Sequence, residues 1–368
     1  MTTYRPTAAR IDLDAIRRNV SVLKPAGADL MAVVKSDGYG HGAIEVARAA
    51  IEAGAAWLGV ALVEEGIGLR EAGLSVPVLV LSEFPPGSEK DALAADLTPT
   101  VYTARGLGAV AEAAAALGRR AAVHVKLDTG MHRAGLHPLA DAPAFIRSVL
   151  DAGCDLEGLW THFARAEEDE ATTRRQLDSF TEVLDGIRDE GIEPRVVHAA
   201  NSAAAILYPE THFDLVRIGI ALYGLDPGGG AGARAGIRPA MSLTSEVSAV
   251  RRLSAGEAVS YGHRYRTEAE TWVATVPIGY ADGYRRALSS RAEVLLGGRR
   301  RRVAGTVTMD QILVDCGEDQ VEVGDEVVLL GRRGDEEITA DELAELCGTI
   351  NYEITCGIGP RVPRTYVP

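Results

Sequence analysis

Lys35 closes the apolar run LMAVVK and is followed by SDGYGHG. An ammonium is costly to bury and long enough to reach water, so a lysine ending a buried-looking strand needs a chemical reason. Polar residues close several comparable runs: Lys126 and Asp128 in AAVHVKLD, His162 in EGLWTH, His198 just before Asn201 and Ser202, and Arg217 in LVRIGI. Singly, each has a plain structural reading. A strand-end histidine is usually a satisfied core residue, and Asn201 suits a helix cap. Together they put cationic and hydrogen-bonding groups around one end of a set of strands, which predicts a site.

A lysine dried among cations has a lowered pKa, so its amine can attack a carbonyl. RIGIALYG offers the backbone N–H groups of Gly219 and Ile220 where glycine permits close approach. ANS offers a hydroxyl at a helix start, and both features suit a phosphate. The cofactor that joins an aldehyde to a phosphate is pyridoxal 5'-phosphate.

Elements that would position these groups alternate along the first two-thirds of the chain. Apolar, β-branched runs fall at 30–35, 57–62, 77–82, 97–102, 121–128, 157–162, 195–199 and 215–220. Between them lie stretches of helical period, most ending in glycine. Strand–helix repeats of this number and spacing predict an α/β fold, an N-terminal (β/α)8 TIM-type barrel, with an open doubly wound sheet as the alternative. After the Gly/Pro-rich run at 223–240, read as a linker or long surface loop, the texture becomes short β runs with one helix, TADELAELCG, capped by Thr339. The expected domains are therefore 1–240, a cofactor-binding barrel, and 241–368, a C-terminal mostly β domain.

The formal charge of −14 over 368 residues argues against nucleic acid or an anionic membrane as the main partner. GGRRRRV is the exception, read either as a nucleic-acid patch or as a solvated hairpin. The N-terminal residues lack a signal-peptide pattern, and no apolar run is long enough to span a bilayer. Cys154, Cys316, Cys347 and Cys356 form no CxxC or Cys/His pattern, and Cys347 and Cys356 read as two buried thiols. A cytoplasmic protein without a metal site is expected.

AVVKSDGYGHG, LDTGMHRAG, THFA, HAANSAA, VRIGIALYG, SYGHRY, PIGYADGY, TMDQ and YEITCGIGPRVPR follow in the order of the signatures of the alanine racemases. The sequence resembles that family over nearly its whole length, and SYG, IGYADG and MDQ are the most specific matches. The resemblance implies a pyridoxal-phosphate-dependent racemase that interconverts L-alanine and D-alanine by a two-base mechanism and supplies D-alanine for peptidoglycan. Lys35 resembles the residue that holds the cofactor and acts on the α-proton of the D-enantiomer. Tyr261 resembles the opposing base, which takes the α-proton from the L-enantiomer. A planar carbanion between two such groups is reprotonated from either side. A phenol with a reference pKa of about 10 is a poor base near neutrality, so cationic neighbours must help, with His162 a candidate through a hydrogen-bond chain.

By the same resemblance, Arg217 faces the cofactor's pyridine nitrogen. Arginine keeps its proton, so it donates a hydrogen bond without protonating the ring, and side reactions such as transamination are suppressed. Tyr39, Ser202, Gly219, Ile220 and Tyr352 match the phosphate cradle, and His162 and Asn201 complete the expected cofactor contacts. Arg133 matches the residue that reaches the cofactor's phenolic oxygen and the substrate carboxylate. Met309 is carried over as a second carboxylate contact through its N–H, with Tyr280 and Asp310 in support. Lys126 matches a position often carbamylated in the family, where the added carboxylate holds Arg133. In the family, Tyr261, Tyr280, Met309 and Asp310 come from a second subunit, which implies a head-to-tail homodimer with shared active sites.

Four positions depart from the family pattern: His132 where glycine is commoner, Thr306 for arginine, Thr308 for cysteine or serine, and Glu167 for aspartate. They resemble the substrate entry corridor. Competing readings are a broader-specificity or serine racemase and a basic amino-acid decarboxylase of similar architecture. A non-catalytic pyridoxal phosphate carrier and a cofactor-free barrel enzyme acting on sugar phosphates complete the set. Tyr352 should crowd side chains larger than methyl, which favours alanine.

Overall fold

Eight short parallel strands form the larger sheet of the computed structural model, which describes residues 4–368. They are β1 (Asp29–Val33), β2 (Trp57–Val60), β3 (Val78–Val80), β4 (Thr98–Val101), β5 (Ala122–Lys126), β6 (Asp155–Trp160), β7 (Val196–His198) and β8 (Leu215–Ile218). Each lies within or across one of the eight apolar runs read from the sequence, including the two weakest signals at 97–102 and 157–162. Neighbours pair in chain order from β1 to β7, and β8 pairs with β1. Backbone bonds from Asp214 to Val197 and from Arg217 to Ala200, both 3.0 Å, join β8 to β7 and close the ring. A barrel is therefore observed, and the open sheet is not.

Helices follow the strands, as the alternation requires: Ala43–Glu52 after β1, Val63–Glu71 after β2, Ala104–Ala116 after β4 and Glu170–Asp189 after β6. The strands are buried on both faces, which is why they read as continuous apolar runs without alternation. Each fully buried Leu or Ile contributes about 1.5–3 kcal/mol. The Gly/Pro-rich stretch is not a bare linker. It carries the short helix Ala231–Ala235, and the Asp226 carboxylate accepts the N–H groups of Gly228, Gly230 and Gly232.

The chain divides into two compact units, and the barrel unit comprises Ile16–Gly38 and Ala43–Arg238. The second unit contains Pro239–Pro368, together with the chain up to Ala15 and Tyr39–Gly42. The units part close to residue 240, while the stretch up to Ala15 and Tyr39–Gly42 group with the second unit. The N-terminal strand Ala8–Asp12 pairs antiparallel with Met241–Glu246 and parallel with Arg364–Val367. The cause is its pattern: Ala9 and Ile11 are buried while Arg10 is exposed, the alternation of a half-buried strand rather than of a barrel strand.

That β unit has a main sheet and a three-stranded sheet, Ala249–Leu253, Thr271–Val276 and Ile312–Gly317. Its helix Ala340–Cys347 is capped by Thr339, as the sequence indicates. The arginine run is one arm of a hairpin, Glu293–Leu296 with Arg299–Arg302. Arg299 and Arg302 are exposed, as a solvated hairpin requires, and carboxylates neutralise three of the four arginines: Arg300 meets Glu293, Glu336 and Glu342, while Arg299 and Arg301 meet Asp319. Such internal neutralisation removes the case for a nucleic-acid patch. Of the cysteines, Cys154 and Cys316 are buried, Cys347 is half-buried and Cys356 is exposed, so the expectation of two buried thiols at 347 and 356 fails. No helix among the described residues is long and apolar enough to cross a membrane.

Asp282 anchors the β unit. It is fully buried, meets Arg5 at 2.8 Å and Arg361 at 3.4 Å, and accepts the Gly279 N–H at 3.0 Å. Removing it strands a partly buried guanidinium. Asp282→Ala is expected to lower the unfolding free energy by about 3 kcal/mol in urea titration; a loss below about 1 kcal/mol would assign the pair only the worth of a surface contact.

Candidate active site

The strand ends of the barrel unit gather the cations that the sequence singled out. Lys35 follows β1 after one residue, and the chain then makes an unusual turn. Ser36, Asp37, Gly38 and Tyr39 all have left-handed backbones, with φ of 53°, 51°, 61° and 52°. For residues with a Cβ this costs about 1–2 kcal/mol each. Three hydrogen bonds hold it: Glu65 accepts the Ser36 N–H at 2.6 Å, Asp37 accepts the Ala43 N–H at 2.9 Å, and the Gly38 N–H reaches the Val34 carbonyl at 2.8 Å. The lysine thus leaves the sheet at a strained corner whose geometry the surroundings impose.

Lys126, Trp160 and His198 occupy one row across β5, β6 and β7. The Lys126 ammonium sits 4.6 Å from the Trp160 ring centre and the Arg217 guanidinium 4.7 Å from it, while His198 stacks on the same indole. Burial and the charges of Arg133, Arg217 and Lys35 push the Lys126 ammonium down to about 8, against the pull of Asp128. Asp128 offsets these charges only in part. Its Oδ1 accepts the N–H groups of Gly130, Met131 and His132, which outweigh burial and hold its carboxyl below the usual range. The loop so formed carries the exposed Arg133. His132 in this loop has φ of 53°, a conformation that favours glycine.

Arg217 is buried, and all its hydrogen-bond partners among the described residues are neutral acceptors. It donates to the carbonyls of Thr161, His198 and Ala199, to His198 Nδ1 at 3.0 Å and to His162 Nδ1 at 3.2 Å. Burial pulls its pKa down to about 9. Burial and the cations Arg217, Lys126, Arg133 and Lys35 hold His162 well below its ordinary value, so it is neutral. Ser202 Oγ accepts the Gly219 N–H at 2.9 Å and lies 3.4 Å from the Ala221 N–H, with Ile220 buried beside them. Asn201 uses its side-chain oxygen to cap the following helix by accepting the Ala204 N–H, which is the plain structural reading of that residue.

The β unit carries the remaining candidates. Tyr261, Tyr280 and Met309 are 74%, 43% and 52% exposed. Their loops are laced together: the Tyr280 N–H bonds the Thr308 carbonyl, the Ala281 N–H bonds the Met309 carbonyl, and Thr306 Oγ1 donates to the Tyr261 carbonyl. Ser260, Gly262 and His263 around Tyr261 all have positive φ. Thr308 Oγ1 braces its own turn through Gln311, and Asp310 pairs with Arg361 at 2.7 Å. Two of the departures from the family pattern, Thr306 and Thr308, are therefore structural braces of these loops. Tyr39 packs 6.1 Å from Tyr352, and burial, with Tyr352 and Cys356 adding to it, raises the Tyr39 phenol well above its ordinary value.

His124, Glu157 and Trp160 were not singled out by sequence reasoning. The available signal was the two-residue spacing of His124 and Lys126, which puts both on one face of β5.

Comparison with known proteins supplies the identity of this arrangement. Residues 11–227 match the family described as alanine racemase, N-terminal domain, and residues 240–366 match alanine racemase, C-terminal domain. The alanine racemase of Frankia casuarinae is 49% identical over 98% of this chain and 96% of its own length. That of Symbiobacterium thermophilum is 49% identical over 98% and 97%. The crystal structure of alanine racemase from D-cycloserine-producing Streptomyces lavendulae superposes with a TM-score of 0.94 at 45% identity, covering 100% of this chain and 98% of that one. The Bacillus anthracis alanine racemase with bound L-Ala-P gives 0.93 at 39% identity, with 100% and 96% coverage. Two domain matches and full-length identity of this order leave one conclusion: the chain belongs to the alanine racemase family and is an amino-acid racemase.

Proposed function

We propose that this chain interconverts L-alanine and D-alanine with pyridoxal 5'-phosphate, using Lys35 and Tyr261 as proton-transfer groups on opposite sides of the α-carbon. The observation that carries the reading is the charge at the barrel's strand ends. Lys35, Lys126, Arg133 and Arg217 act on one another there, and Asp128 is already engaged by backbone donors. A set rich in cations and hydroxyls fits an anionic phosphate and an amino-acid carboxylate. Pyridoxal phosphate, when bound, supplies the electron withdrawal that makes the α-proton of an amino acid removable.

In this reading Lys35 holds the cofactor and moves the α-proton of D-alanine at its Nζ, while Tyr261 Oη moves that of L-alanine. Ser202, the N–H groups of Gly219 and Ile220, Tyr39 and Tyr352 take the phosphate. Arg217 donates to the ring nitrogen without surrendering its proton, and His162, neutral, relays between Arg217 and the phenol. Arg133 and the Met309 N–H orient the substrate carboxylate. An amine held near 8 is partly neutral at physiological pH, so Lys126 is chemically suited to carbamylation, which would give Arg133 an anionic partner. The exposure of Tyr261, Tyr280 and Met309 supports a second copy as their cover, in a head-to-tail homodimer whose sites are shared. The product would serve peptidoglycan synthesis in the cytoplasm.

Protein loaded with the cofactor is expected to be yellow and to racemise alanine, and Lys35→Ala to lose colour and activity together. Borohydride reduction followed by peptide mapping should mark Lys35; reduction onto another lysine would overturn the assignment. Tyr261→Ala is expected to slow α-proton exchange from L-alanine far more than from D-alanine. Thr306→Val, which releases the Tyr261 carbonyl, should cut the same rate about three- to tenfold. Equal losses for both enantiomers would remove Tyr261 from its proposed face. Mixing and reassociating inactive Lys35→Ala and Tyr261→Ala proteins should restore part of the activity through hybrid dimers, whereas no recovery after proven subunit exchange would refute shared sites.

A further inference from the structure

We propose that His124 and Glu157 are positioning residues: His124 ends a one-way hydrogen-bond chain through His198 that fixes the histidine tautomers and holds the Arg217 guanidinium, and the Glu157 carboxylate orients it by charge. The inference rests on the reading above for what Arg217 does, but its geometry lies wholly within the barrel unit. Arginine has only donors, so His198 Nδ1, 3.0 Å from Arg217 Nη1, must be the bare nitrogen. The proton of His198 is then on Nε2, which faces His124 Nδ1 at 2.9 Å and donates to it. That leaves the proton of His124 on Nε2, where it finds no hydrogen-bond partner but points toward Glu157 Oε2 at 3.6 Å. Every donor runs the same way, from a buried cation toward a carboxylate.

The direction is enforced, because reversing either imidazole would oppose two donors or two lone pairs. Protonating either ring would do the same to its bare nitrogen, and both sit below their ordinary pKa. Burial dominates in each case, with Arg217 and His124 adding to the effect at His198, while at His124 burial outweighs the pull of Glu157. Glu157 stays anionic: burial raises its carboxyl, but His124 and Arg195 outweigh it. The path is also built for an imidazole. A Cβ on Gly158 would come within 2.3 Å of His124 Nδ1, so the glycine in EGLWTH leaves the slot that the ring fills. Trp57 closes another side, its ring centre 5.3 Å from that of His124. The chain sets which nitrogen of each histidine carries a proton and so keeps the lone pair on which Arg217 is seated.

The test uses holoprotein labelled with ¹⁵N-histidine, read by ring-nitrogen NMR, alongside steady-state kinetics. His198 and His124 are both expected to show a single Nε2–H tautomer across the neutral range. His124→Leu should abolish that preference at His198 and lower kcat about tenfold with little change in KM, the worth of about one buried hydrogen bond. His124→Asn, whose amide oxygen accepts the His198 proton, should restore both. Glu157→Gln, at a partly exposed site where folding is not at stake, should loosen the tautomer of His124. An Nδ1–H tautomer at His198 in the unmutated protein would overturn the proposal. So would an unchanged His198 in His124→Leu, or a kcat loss in that variant that His124→Asn does not restore. Failure of the proposed cofactor-dependent alanine reading would instead appear as no turnover of alanine in the unmutated protein, with the tautomer results still deciding the chain.

Discussion

A buried cation surrounded by uncharged acceptors is the constraint on which the barrel's chemistry depends. Arg217 is 3% exposed, and its hydrogen bonds go to carbonyl oxygens and imidazole nitrogens rather than to a carboxylate. Pairing with a carboxylate would neutralise the site and blunt its attraction for anions. Leaving the charge unpaired demands many acceptors and an aromatic face, which Trp160 provides. Strand-end carbonyls supply most of them, because β6 and β7 end beside the guanidinium. Burial, together with the charges of Arg217 and Arg133, depresses Lys126 and keeps His162 neutral, so the buried cation adds to what desolvation already imposes on its neighbours.

Backbone strain marks both groups of candidates. Lys35 enters a left-handed turn, and Tyr261 lies between Ser260 and His263, which have φ of 64° and 47°. In each unit side chains hold the strain: Glu65 from outside the turn and the turn's own Asp37 for the lysine, Thr306 for the tyrosine. Such conformations persist only where neighbouring contacts over-determine them. Rigid corners place a proton-transfer group more accurately than a relaxed loop, which suits chemistry that moves a single proton at a single carbon.

Much of the architecture was readable in advance. Barrel strands announce themselves because burial on both faces demands uninterrupted apolar residues, and all eight were found, including the short β4. The strand-end residues were visible as polar exceptions to that rule. What escaped was Ala8–Asp12, whose pairing partners lie more than two hundred residues away, and the true environment of the arginine run, whose carboxylates come from separate elements. His124 escaped because a histidine inside an apolar strand has a bland reading until its neighbours are known.

Residue type and order were enough to determine the family, the alternating architecture and the identity of the candidate groups, since those follow from local pattern and from motifs contiguous in the chain. Tertiary structure alone decided that Arg217 has no carboxylate among its hydrogen-bond partners in the described residues. It alone also set two histidines and a glutamate in line behind that arginine. The physical reason is that hydrogen-bond direction and charge environment arise from atoms brought together across strands, and no single stretch of sequence contains both ends of such a bond.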